Sequence, residues 1–555
     1  MPDSKTSPGP RTPSELDQAC ADHVDAMAAL DPLLALEWGV GDNHGDLPNF
    51  SPEFHDRAAA AARALLDRVD ELEPGFDAVD RITAAAARDR MGLVIELHEA
   101  GEDVRVVNNI TTPVQSIRQA ISMHDTDTAR GREAATSQLA QIPAALAGYR
   151  ESLEYALSRG WPAPKRQIEL LAGQCDDLAA PDSILGDVAG AEPPASFDHH
   201  LDAARAAHAD LASWLRGEFL AAGTESEAVG AERYQRLSRE YVGDTVNLTE
   251  AYAWGQEQLR GIIAEQQQVA VELYGPKVTV DEALSRLNDD PRYQIHGVDA
   301  LQAWMQETAD GAIEALAGTH FEVPEQIRTI ECCIDPSGTG GIYYLPPAAD
   351  FSRPGRMYWA VPPQETVFAR WQELTTVFHE GVPGHHLQLG QALVEPDLNP
   401  WRKLDSFTSG HGEGWALYAE KLMAELGFHS DPGTRMGMLD AQRLRAARVV
   451  LDIGFHLGLP LPAEDIGVPG ASGWSPEVAH EFLRRHVAMG EGFLTFERDR
   501  YLGWAGQAPS YALGQRIWEE LRADHAGDDL KGFHARALAL GGLPLGILRW
   551  ALGGA

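Results

Sequence analysis

The sequence predicts a mostly α protein with one small β-sheet set just ahead of a histidine-rich helix. Three observations carry that prediction. Apolar residues recur at helical spacing through most of the 555-residue chain. A short aromatic and β-branched stretch interrupts them after Glu331. An amphipathic run, Glu365 to Phe378, then leads into His379-Glu380-Gly381-Val382-Pro383-Gly384-His385-His386.

Composition sets the bounds. The length allows one large domain or two or three ordinary ones, with ample core. The 44% hydrophobic and 23% charged residues are those of a soluble globular chain. Forty-five Lys and Arg against 83 Asp and Glu give a net charge of −38, which argues against nucleic acid or an anionic membrane as partner. Cys20, Cys175, Cys332 and Cys333 form neither a disulfide framework nor a C-x-x-C zinc pattern, and fit a reducing compartment. The N-terminal residues lack an apolar core of the signal-peptide kind, and no run approaches membrane-spanning length. The expected location is therefore cytoplasmic.

In chain order, residues 1–14 are Pro/Ser-rich and read as a disordered tail. Residues 15–230 read as an N-terminal helical half, including helices over Ser51–Leu72, behind a Ser51 cap, and Phe76–Glu99. Ala179 to Phe197 reads as a linker, followed by helices at Asp210–Phe219, Ala231–Tyr241, Leu248–Tyr274, Asp281–Asn288 and Gly297–Leu316. Residues 231–555 make the helical half that carries the candidate site. Gly338–Leu345 and Met357–Ala360 read as two strands of the small sheet. Such a strand is either an ordinary hairpin or an edge on which an extended peptide can pair.

His-Glu at a helix end, with histidine just beyond, suggests the zinc-hydrolase device: imidazoles hold the metal and the adjacent glutamate acts as general base. The usual H-E-x-x-H spacing fails here because Pro383 stands at i+4. On an unbroken helix His385 would face away, and His386 would lie about 10 Å further along the axis. A kink or bulge at Pro383-Gly384 would bring His385 to the place of i+4, with Gln388 one turn on as a supporting group. The plain alternative is a Pro-Gly helix end with two surface histidines.

After a loop at Glu395–Asp405, Glu413 opens a helix running to about Leu426. It is a candidate third ligand, with Glu420 behind it, or simply an acidic residue favoured by the helix dipole. Arg445, Arg448, Asp452 and His456 form one polar stripe in an otherwise apolar helix, expected to face a polar cavity or, alternatively, to make an Arg448–Asp452 pair at the surface. Arg suits a substrate carboxylate and His a developing oxyanion. Tyr511, after a Gly/Pro-rich turn, can place a phenol over the site.

Taken in order, HEGVPGHHLQ, GEGWALYAEKL, RAARVVLDIGFH and GQAPSYALG resemble the bacterial family named domain of unknown function 885, from about Ile342 to Gly514. That family resembles the gluzincin zinc peptidases, and its fold is similar to the mostly helical carboxypeptidase Taq family. The resemblance implies a large helical metallopeptidase-like fold, with His379, His385 and Glu413 binding Zn2+ and Glu380 as base. The expected function is a zinc-dependent hydrolase cleaving amide bonds in peptides or peptide-like small molecules, with a carboxypeptidase favoured. Tyr511 and His456 would steady the oxyanion; Arg445 or Arg448, with Tyr344, would bind substrate. The alternative is a metal- or peptide-binding protein without catalysis, against which the retained Glu380 argues. A homodimer is among the open oligomeric states.

Overall fold

The structure, a computed structural model, describes residues 11–335, 341–348, 350–362 and 364–554. Helices take 66% and strands 5% of it, so the sheet is a local device and helix packing makes the core. The helix signals act as expected. The Ser51 hydroxyl accepts from the Phe54 amide and starts Pro52–Leu72, which buries Ala59, Ala62, Leu65 and Val69 at helical spacing. The helix Leu248–Tyr274 has the bounds its periodicity predicts. None of the described helices is long and apolar enough to cross a membrane.

Among the described residues two main cores, a larger and a smaller, organise the chain beside a third, minor one around Leu284, Trp371 and Met436, and they do not divide at residue 230. The larger joins Leu16, Val24, Leu65, Val69 and Met91 to residues from Tyr234 through Leu548. The smaller holds Phe50 and residues from Val107 to Phe219. The first long helices therefore belong with the C-terminal half, a correction to the expected halves: periodicity reports a buried face but not its partner. The expected tail is corrected too. Arg11 forms ion pairs with Asp17, Asp77 and Asp80, which ties residues 11–14 to two helices, while residues 1–10 lie outside the described residues. The expected linker contains a short 3-10 helix, Ile184–Ala189, that buries Leu185 and Val188 in the smaller core. Asp210–Phe219 is the end of the helix Phe197–Trp214 and the π-helical turn after it, and the loop at Glu395–Asp405 holds the short helix Pro400–Leu404.

Five strands are described: β1 (Gln294–His296), β2 (Ile330–Asp335), β3 (Ile342–Leu345), β4 (Gly355–Ala360) and β5 (Val367–Ala369). β4 is central, parallel to β2 and antiparallel to β3, with Tyr344 opposite Met357. β3 is thus an edge strand of this sheet; Gly338–Gly340 of the expected strand lie outside the described residues. β1 and β5 pair separately, so the Glu365–Phe378 run is not all helix. Its helix starts at Arg370, after a three-residue strand too short to show alternation.

Burial leaves a mark on acid stability. Desolvation pushes His208, His386, His456 and His486 down to about 4, and His411 and His534 to about 3, from 6.5. Their folded values lie below the unfolded one, so the unfolded chain binds more protons in that window. These histidines therefore take stability away as pH falls from about 6.5 toward 4, while Glu240, Glu373 and Asp452, pushed up by burial to about 7, and Asp440, to about 6, act in the opposite sense there. Thermal unfolding followed by circular dichroism should show that His208→Gln loses less Tm between about pH 6.5 and 4 than the unaltered chain; an equal loss contradicts the part given to the histidine.

Candidate metal centre

The helix Arg370–Glu380 buries Trp371, Thr375, Val377, Phe378, His379 and Glu380, then stops. A second helix, His385–Val394, begins after four intervening residues. The expected bulge is therefore a full break. Between the helices the Gly384 amide donates to Phe378 O at 3.1 Å. A Cβ on Gly384 would lie 1.9 Å from His379 O, so only glycine lets the chain cross there. Pro383, which has no amide to satisfy, offers its carbonyl to Trp415 Nε1 at 2.8 Å.

The break brings His385 to His379, with ring centroids 4.8 Å apart and planes at 90°. Both rings aim Nε2 at one Glu413 oxygen, at 3.2 Å from His379 and 3.5 Å from His385. One donor atom from each residue lies within 4.8 Å of the other two. Glu413 sits in the second turn of Ser409–Glu425, whose cap is Thr408, so it does not open that helix as expected. A helix dipole acts within the first turn, which makes it a poor account of Glu413. This helix meets Ser510–His525 backbone to backbone: a Cβ on Gly414 would lie 2.4 Å from Gly514 C, and one on Gly514 2.1 Å from Gly410 O. That close approach sets Tyr511 near Glu413, and burial, with the Glu413 charge, pushes the phenol up.

Glu420, two turns after Glu413, is buried behind His379. It accepts from His379 Nδ1 at 2.8 Å and from Thr375 Oγ1 at 2.6 Å. The Nδ1 bond leaves Nε2 turned toward Glu413 and fixes the ring, the usual support for a ligating histidine. Thr375 was missed by the sequence analysis, although it lies one turn before His379 on the same face.

The charges of the cluster act strongly on one another. Burial opposes a proton on His379, yet the bonds to Glu413 and Glu420 outweigh it and raise the ring to about 10. Burial likewise opposes the Glu413 charge, but His379 and His385 hold that carboxyl well below the usual range. Burial pushes Glu380 up, against the pull of His379 and His385. Two imidazoles thus face two buried carboxylates, a donor set whose charge suits a bound cation. Two nitrogens and one oxygen suit zinc, and partial exposure of His385 and Glu413 leaves a side open. The residues present fit the metal.

His386 belongs to the scaffold. Its Nε2 donates to Ile327 O at 2.8 Å, and its Nδ1 accepts from the Tyr344 hydroxyl at 2.7 Å. Tyr344 is corrected accordingly: its hydroxyl holds His386 and so anchors the second helix to β3. Gln388 is corrected as well, since its amide donates to His411 O at 3.1 Å.

The sequence profile described as "Bacterial protein of unknown function (DUF885)" matches residues 32–552. The chain belongs to the DUF885 family. No curated protein matches it. Two solved structures are similar. One, from Colwellia psychrerythraea and described as a candidate lipoprotein, has 20% identity and a TM-score of 0.81, covering 97% of this chain and 98% of its own. The other, from Shewanella oneidensis and described as a candidate lipoprotein of unknown function, has 17% identity and a TM-score of 0.72, covering 97% and 99%. At such identities the likeness reports the fold alone.

In this DUF885 chain the polar stripe of Pro432–Leu457 mostly faces other helices, which corrects both readings of it. Arg448, 5% exposed, donates to Glu497 Oε2 at 2.8 Å and to the Tyr501 hydroxyl at 2.7 Å, so two of its three guanidinium nitrogens are turned to this buried network and not to a substrate carboxylate. Asp452 is fully buried, accepting from Tyr234 and the Gly506 amide, and makes no pair with Arg448. His456 donates from Nε2 to Tyr501 O at 2.8 Å and stacks near Tyr234, so its oxyanion role is withdrawn. These partners lie on distant segments, which one helix's periodicity cannot reveal. Arg445 differs. Its Nη1 donates to Ala441 O at 3.3 Å, but it makes no ion pair among the described residues, its Nε is buried without a partner, and its charge reaches Glu380 and Glu420.

Proposed function

We propose that this chain is a zinc-dependent hydrolase that cleaves amide bonds in peptides or peptide-like small molecules. One observation carries the reading: His379, His385 and Glu413 converge, and Glu380 lies buried beside them without being one of the converging donors. The resemblance to gluzincin metallopeptidases supports it. His379, His385 and Glu413 would hold the metal, which when bound supplies Lewis acidity and lowers the pKa of water.

The chain's own residues do the rest. Glu420 and Thr375 keep His379 oriented. Glu380 takes a proton from the attacking water and returns it to the leaving amine, a task suited to a carboxylate raised by burial. Tyr511 turns its hydroxyl to the carbonyl oxygen as charge develops there. The edge of β3 left free by the described residues pairs with an extended substrate. Arg445 receives a substrate carboxylate, which favours carboxypeptidase action. Four unpaired cysteines support a cytoplasmic location.

The test is a defined peptide library incubated with zinc-loaded protein and read by mass spectrometry. Metal-dependent products are expected, and amidation of the peptide C-terminus should abolish them. Arg445→Met should lower the preference for a free C-terminus about tenfold or more, the scale of a charge-assisted bond. Equal rates on free and amidated peptides would end the carboxypeptidase reading. No product from any peptide would leave a metal- or peptide-binding protein without catalysis.

A further inference from the structure

Behind Tyr511 lies a buried network that the metal centre does not use. Glu497, 2% exposed, accepts from Arg448 Nη2 at 2.8 Å, from Arg500 Nη1 at 3.0 Å and from the Tyr501 hydroxyl. Arg448 Nε donates to that same hydroxyl at 2.7 Å. Arg500 continues to Gln507 Oε1 at 2.6 Å. Two guanidiniums thus share one carboxylate in the core.

A stabilising ion pair needs only one cation per carboxylate, and a second buried cation carries a desolvation penalty. The surplus charge has a definite neighbour. The Arg448 guanidinium lies 4.9 Å from the centroid of the Tyr511 ring, within the range of cation–π attraction. Among the described residues Tyr511 stacks on no aromatic ring. Its preceding residue, Ser510, is tied to Ser409 at 2.8 Å, and Ser409 stands one turn before Glu413. The Tyr511 ring is therefore held from its face by Arg448, while its helix start is pinned to the helix of Glu413.

We propose that Arg448 is a positioning residue for Tyr511, oriented by Glu497 and Tyr501 so that the hydroxyl stays at the metal side of the cleft. The catalytic consequence rests on the hydrolase reading above; the placement of the ring does not.

R448K is the informative variant, because lysine keeps a buried cation beside Glu497 but cannot fork to Glu497 and Tyr501 together. It should retain zinc and lower kcat about 10²-fold with KM within about twofold, the signature of a misplaced group rather than weakened binding. In the Y511F background R448K should have no further effect. An equal loss in both backgrounds, or an unchanged kcat, would overturn the proposal. If R448K does not fold, Y501F removes only the bridging hydroxyl and should act in the same direction. A readout free of activity uses 3-fluorotyrosine and 19F NMR, with the Tyr511 resonance identified by its absence in Y511F. R448K or Y501F should shift and broaden that resonance; an unmoved resonance overturns the proposal even where no substrate is known. Absence of turnover by the unaltered chain would instead refute the hydrolase reading, and the resonance then decides the placement by itself.

Discussion

Glu380→Gln is expected to keep about one zinc per chain and to cut turnover at least about 10²-fold, the scale of losing general-base catalysis. Glutamine preserves the shape of a side chain that is 6% exposed, so packing survives. It cannot take a proton. Glu380 neighbours His379 in sequence but is not among the three donors that converge, and the charges of His379, His385, Glu413 and Arg445 all reach it. Steady-state rates and metal analysis of the same preparation check the outcome. Loss of zinc together with activity would make Glu380 a ligand and contradict its role as base.

The second large effect separates two adjacent histidines. His385→Ala should lose zinc on dialysis, because one of three protein ligands is gone. His386→Ala should keep zinc and lose stability instead, by about 1–3 kcal/mol for each buried partner left unsatisfied. Those partners are the Ile327 carbonyl and the Tyr344 hydroxyl. Metal content and thermal unfolding of both variants test the pair. Zinc retained by the His385 variant would refute the assignment.

Much of this site was legible in the sequence because local chemistry dictates it. Pro383 and Gly384 forbid a straight helix, and without one His385 reaches His379 while His386 does not. What the sequence could not supply was long-range pairing. Glu413 was legible as a candidate, yet its choice over a helix-start residue depends on Gly410, Gly414 and Gly514 letting two helices touch. Arg445 and Arg448 look alike on one stripe. Only the position of Glu497, 49 residues further on, shows that Arg448 is held in a buried ion pair while Arg445 has none among the described residues. The same limit explains the misjudged halves, since Leu65 or Val69 signals a buried face without naming the Tyr234–Leu548 region it joins. The short strands β1 and β5 escaped because three residues carry no period, and β2, six residues with two adjacent cysteines, showed only as the change of texture near Glu331.

The central claim is that the broken helix and the Ser409–Glu425 helix together make a zinc site. Anomalous diffraction at the zinc edge, on crystals grown with zinc, tests it most directly. The account predicts one strong peak bound by His379 Nε2, His385 Nε2 and the Glu413 carboxylate, with His386 still held by Ile327 and Tyr344. A peak on His386, or none between His379, His385 and Glu413 at saturating zinc, would contradict it.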